Sequence, residues 1–93
     1  MPPRFDAAYL KNPPPAYPTW SRRAGEQGQV MLRVRVSAQG TPDEISLKTS
    51  SGFPRLDETA LDTVRQWRFV PARQGERPVA AWVLVPVTFR LEG

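Results

Sequence analysis

Side chains able to do covalent or metal chemistry are scarce in this chain. It has 93 residues, no cysteine and no histidine. The commonest general base and the commonest metal ligand are therefore missing. Thiol and disulfide chemistry is impossible, so cysteine use does not reveal the compartment. Ser50-Ser51-Gly52 has the composition of a nucleophile, but no obvious base stands ready to activate it. It reads better as a strand-to-helix turn with hydroxyl caps. Asp43-Glu44 and Asp57-Glu58 are carboxylate pairs. Adjacent helical residues do not face each other, so Asp57-Glu58 reads as first-turn helix charge and Asp43-Glu44 as a solvated turn. Gly25, Gly28 and Gly40 lack the Gly-Lys-Ser/Thr run of a phosphate loop. Trp67-Arg68-Phe69 could stack bases. Spacing already assigns Trp67 to the end of an apolar stripe, Phe69 to the underside of a sheet and Arg68 to solvent. No catalytic residue, metal site or cofactor is expected, and the chain does not read as an enzyme.

What remains is the hydrogen-bonding chemistry of the main chain. The odd positions from Val79 through Leu91 are apolar, the period of a half-buried strand. Pro86 interrupts that run. Proline has no N–H to give a ladder, so it suits an edge strand. The outward positions Trp82 and Leu84 are apolar as well. A long, sticky edge is a hazard unless another chain pairs with it, which points to strand addition by a partner peptide. The competing reading is an ordinary edge, covered by the chain's own N-terminal segment or by a second copy.

The elements that must carry this edge can be read along the chain. Residues 1–14 form a proline-rich segment ending in Asn12-Pro13-Pro14-Pro15-Ala16, which favours an extended polyproline run. Phe5, Tyr9 and Leu10 could dock on the domain or form a helical turn, and a disordered tail over residues 1–8 is the other reading. Residues 15–93 read as the folded domain. Pro18 suits a first helical position, and Gly25 can end a short helix over Thr19 to Ala24. Trp20 and Tyr17 are expected to anchor this turn to the core. Val30, Leu32, Val34 and Val36 then alternate with polar or flexible neighbours as a strand. Ala38-Gln39-Gly40-Thr41 is a hairpin turn, and Ile45, Leu47 and Thr49 mark a second strand. Pro54 opens a helix whose apolar stripe is Leu56, Ala60, Leu61, Val64 and Trp67. Ala72 to Pro78 reads as a polar loop with Gly75. The predicted class is α+β: a three-stranded antiparallel sheet with two helices on one face, in the order short helix, β, β, α, β. The last strand should pair with the first, which leaves the second and last strands as edges.

Composition agrees with one small domain. Hydrophobic residues make up 40% and charged residues 24%, ordinary globular values. The net charge is +4, from 11 arginines and two lysines against nine acids. The bases are scattered among acids and form no stripe of the kind nucleic acid prefers. The longest apolar run, Val79 to Val87, is far shorter than the ~20 residues of a membrane helix. Met1-Pro2-Pro3-Arg4 has no apolar run after it, so no signal peptide is expected there. The chain reads as a soluble piece of something longer.

Several motifs in order resemble the TonB C-terminal domain family. They are Pro15-Ala16-Tyr17-Pro18, Ser21 through Val30, Ser50-Ser51-Gly52, Leu56-Asp57, Ala60-Leu61, Val64, Trp67-Arg68-Phe69, Pro71-Ala72 and Val85-Pro86-Val87-Thr88-Phe89. The resemblance covers residues 15–92. It implies a periplasmic domain of a protein anchored in the inner membrane of a Gram-negative bacterium. Such proteins couple the proton gradient, through ExbB and ExbD and a missing N-terminal part, to outer-membrane transporters for siderophores, haem and cobalamin. The implied site grips the transporter's TonB box as a strand added to Ala81, Trp82, Val83, Leu84, Val85, Val87, Thr88, Phe89 and Arg90. Pro15, Ala16, Tyr17 and Pro18 would touch the transporter plug. Many members carry glutamine just before the Tyr-Pro pair; here that stretch is proline and alanine. The resemblance also allows a strand-exchanged homodimer. Two alternatives stand beside it: a TonB-domain envelope scaffold with a non-transporter partner, and a small basic nucleic-acid-binding domain, which would show steep salt dependence.

Overall fold

Alternating valines and leucine build the centre of the molecule. A computed structural model of the chain describes residues 1–6 and 10–92, which leaves Tyr9 outside the described residues. Strand β1 spans Gly28–Val36, and Val30, Leu32, Val34 and Val36 are all fully buried on one face. A turn at Gly40, with φ at 84°, leads into β2, Pro42–Thr49. Strand β2 bulges at Asp43 and Lys48, where its register against β1 shifts. Asp43 lies inside β2, not in a turn, and pairs with Arg35 across the sheet at 2.9 Å.

Helix α1 spans Thr19–Arg23 and helix α2 spans Pro54–Val64. Gly25 ends α1 with φ at 72°, where a side chain would be strained. Pro54 stands at the start of α2, a position that needs no N–H donor. Leu56, Ala60 and Val64 pack from α2 onto the β1 valines. Trp67 completes that stripe in space but lies beyond the last helical turn, which stops at Val64. The chain leaves the helix there, so Trp67 and Phe69 reach the core from an irregular segment.

The loop expected over residues 72–78 is a hairpin of its own. Strand β3, Ala72–Gln74, pairs with β4, Arg77–Val79, across a Gly75-Glu76 turn. Glycine with positive φ at the first of two turn positions is the type II′ arrangement, which fits strand twist. Val79 pairs with Ala72, so it belongs to this hairpin and not to the last strand. Strand β5 starts at Ala81 and runs to Phe89. It pairs antiparallel with β1 over nine residues with no shift. The sheet order is β2-β1-β5, with β3-β4 as a separate pair. The α+β class, the two helices and the pairing of last strand with first are all present as expected.

Candidate functional site

Hydrogen bonds at both ends of the sheet fix which backbone groups of β5 face outward. The Ser37 N–H donates to the Thr41 carbonyl at 2.8 Å, so odd residues of β1 address β2. The Leu91 N–H donates to Gln27 Oε1 at 2.8 Å, on the β1 side of β5. Hydrogen-bonded and non-hydrogen-bonded positions alternate along an antiparallel pair. Val30–Val87, Leu32–Val85 and Val34–Val83 are then the bonded pairs, while Met31–Pro86, Arg33–Leu84 and Arg35–Trp82 are not. The N–H groups of Trp82, Leu84 and Thr88 therefore point away from the sheet, as do the carbonyls of Trp82, Leu84, Pro86 and Thr88. Pro86 occupies an outward position, where its missing N–H costs the internal ladder nothing. Among the described residues, no strand pairs with this side of β5.

Side chains of β5 divide by parity. Val85, Val87 and Phe89 are buried, and Ala81 and Val83 are half-buried. Trp82 is 40% exposed and Leu84 46% exposed on the outer face. The Arg33 guanidinium lies 4.0 Å from the centre of the Trp82 ring, within cation–π range. Thr88 accepts from Gln29 Nε2 at 3.2 Å, and exposed Arg90 follows the last strand residue.

The Pro15–Pro18 segment reaches the same strand from the other end. Tyr17 packs edge-on against Phe89, with ring centroids 5.5 Å apart. Its hydroxyl donates to the Glu26 carbonyl, and the Arg22 guanidinium sits 5.0 Å over the ring. Pro15 and Pro18 are half-buried and Ala16 is exposed. The two stretches singled out from sequence thus meet at Tyr17–Phe89. Trp20 does not join them: it is 66% exposed, with Arg23 5.8 Å from its ring. A five-residue helix presents only one face to the core, and Ser21 takes it.

Asp57 departs furthest from its expected role. It is buried and knits the Ser50-Ser51 turn to α2. Its carboxylate accepts from the Ser50 hydroxyl, from the Ser51 N–H at 2.9 Å and from the Ser51 hydroxyl at 2.8 Å. Burial pushes this carboxyl up, but the three hydrogen bonds together outweigh burial and hold it below the ordinary aspartate value of 3.8. The hydroxyls also cap the turn, as Ser50 Oγ accepts from Gly52 N–H and Ser51 Oγ from Phe53 N–H. These residues brace the fold about α2 and take no part in the edge.

The fold and its open edge define a small α+β domain with an unpartnered, hydrogen-bonding strand. A family model described as the Gram-negative bacterial TonB protein C-terminal matches residues 13–91. The chain belongs to the TonB C-terminal domain family. It is 47% identical over 89 residues to Protein tonB2 of Pseudomonas aeruginosa, covering 96% of this chain and 33% of that protein. It is 39% identical over 79 residues to Protein TonB of Vibrio cholerae, covering 85% of this chain and 32% of that one. A solution NMR structure of the Pseudomonas aeruginosa TonB CTD superposes with a TM-score of 0.76 at 26% identity, over 90% of this chain and 85% of that one. The chain spans about a third of the length of these curated relatives. No helix among the described residues is long and apolar enough to cross a membrane.

Proposed function

We propose that this domain is the partner-gripping end of a TonB-type energy transducer in the periplasm. An outer-membrane transporter's TonB box adds as a strand along the outward side of β5. The observation that carries the reading is the row of outward main-chain groups at Trp82, Leu84, Pro86 and Thr88, open among the described residues. Main-chain bonds read the partner's backbone and not its side chains, which suits one adaptor serving several transporters. A strand pulled along its length loads those bonds together, so the joint can pass force to the transporter. That force comes from the proton gradient through ExbB and ExbD, engaged by parts of a longer protein, and the cargo is siderophore, haem or cobalamin. Tyr17 and its flanking prolines contact the transporter plug beside the end of β5.

The test is an NMR titration of the labelled domain with a synthetic TonB-box peptide. Shifts concentrated in Ala81–Arg90 and around Tyr17 are expected. An absence of shifts at millimolar peptide overturns strand addition and points to an edge filled by a second copy, or to another partner.

A further inference from the structure

Residues 1–6 and 10–15 act as a strap bound to the domain by specific contacts. The Arg4 N–H donates to the Val70 carbonyl at 2.9 Å, and the Val70 N–H returns the bond at 2.6 Å. Phe5 stacks on Trp67 with ring centroids 5.7 Å apart. Asn12 pins the strap's far end. Its Nδ2 donates to the Arg68 carbonyl at 2.8 Å and to the Phe5 carbonyl at 3.0 Å, while its Oδ1 accepts from the Arg68 N–H at 2.7 Å. The Trp67 indole N–H donates to the Pro13 carbonyl at 2.7 Å. An amide side chain that satisfies both backbone groups of Arg68 replaces a strand partner.

An open groove of about 430 Å³ runs between this strap and β5. Phe5, Lys11, Pro14 and Pro15 line the strap side. Trp67 and Val87 line the domain side, so the groove lies on the core face of the sheet. Its rim is the outward edge at Pro86 and Thr88. The groove's charges are unequal. Asp6 is tied to Arg4 at 3.4 Å, whereas Lys11 has no carboxylate within ion-pair distance among the described residues. Lys11 also holds a φ of 53°, a left-handed conformation uncommon for a residue with a side chain.

We propose that the strap is the second wall of the partner site. An extended peptide paired with β5 near Thr88 inserts one apolar side chain between Phe5 and Val87, with a carboxylate of the same peptide facing Lys11. This rests on the strand-addition reading above. A strand laid on the β5 edge sends alternate side chains to the core face, where the walls are aromatic, proline and valine. The rim supplies main-chain donors and acceptors, which an extended peptide matches. Lys11 supplies the charge preference. Because the strap is held in place by Asn12 and Trp67, the wall exists before the partner arrives, and binding costs less ordering.

The test uses the labelled 93-residue chain and a capped synthetic peptide of alternating valine and threonine, carrying a central phenylalanine and one glutamate. Intermolecular NOEs from the peptide's phenylalanine ring to Phe5 and Pro14 are expected. Phe5→Ala should weaken binding about tenfold, equivalent to about 1.4 kcal/mol. Replacing the peptide's glutamate by glutamine should weaken binding to the native chain and not to Lys11→Gln. Should Phe5→Ala fail to fold, the NOEs on the native chain decide by themselves. Shifts along Leu84–Thr88 with no NOE to the strap overturn the second wall and leave strand addition intact. No shift anywhere on β5 overturns both.

Discussion

Asp57 gives up nearly all its water, being 8% exposed, and gains three hydrogen bonds to its charged form. Its folded carboxyl therefore titrates below its unfolded one. A depressed carboxylate adds stability that is full above the unfolded value and is lost as pH falls through the folded value. Acid unfolding should accordingly begin as pH drops below about 4, and Asp57→Asn should flatten that limb of the stability curve. At neutral pH the variant should lose about 1–3 kcal/mol, read from urea midpoints at each pH. Trp67 is the other residue whose loss should be severe. Its ring is buried among core residues and its N–H holds Pro13. Trp67→Ala should cost about 3–5 kcal/mol, and an unchanged denaturant midpoint would remove Trp67 from the core. The ring was legible as core from spacing. The role of Asp57 was not, because a carboxylate in a helix's first turn looks the same in sequence whether it faces water or a serine turn behind it.

At the scale of the element, proline separates the two sides of β5. Val87 is bonded to Val30, so its N–H faces inward. Val87→Pro should strip the Val30 carbonyl of its donor in the core and cost about 1–3 kcal/mol or more. Leu84 shares the parity of Pro86 and faces outward. Leu84→Pro should keep a dispersed NMR spectrum while losing affinity for an added strand. Equal peptide affinity in a folded Leu84→Pro chain would put the partner elsewhere. The strand itself was readable from its alternation and from Pro86. Its true start was not, since Val79 continues the apolar period although it pairs with Ala72 across a hairpin. Three-residue strands are too short to show a period, so β3 and β4 looked like loop.

Contacts between distant segments hold the whole molecule in one shape. Gly40 in the β1–β2 turn accepts from the Phe69 N–H at 2.8 Å. A Cβ on Gly40 would stand 2.2 Å from the Phe69 carbonyl oxygen, and its φ of 84° disfavours any side chain. Gly40→Ala should therefore push the turn off the segment after α2. We expect a loss of about 1–3 kcal/mol from strain, seen as a melting temperature lower by several degrees. The glycine was legible as a turn residue, whereas the carbonyl packed against it, 29 positions further along the chain, was not.

What the sequence determined by itself was everything carried by local period and residue type. The central strand, the helix with its proline start, the edge nature of the last strand and the absence of cysteine and histidine all follow from alternation, spacing and composition. What only the tertiary structure decided depended on meetings between distant residues. Asn12 finding Arg68, Phe5 finding Trp67, and the direction of each β5 amide depend on how the segments dock and pair. A chain's neighbours along its length constrain backbone angles, but only the packed fold sets which far-apart groups lie within hydrogen-bond reach.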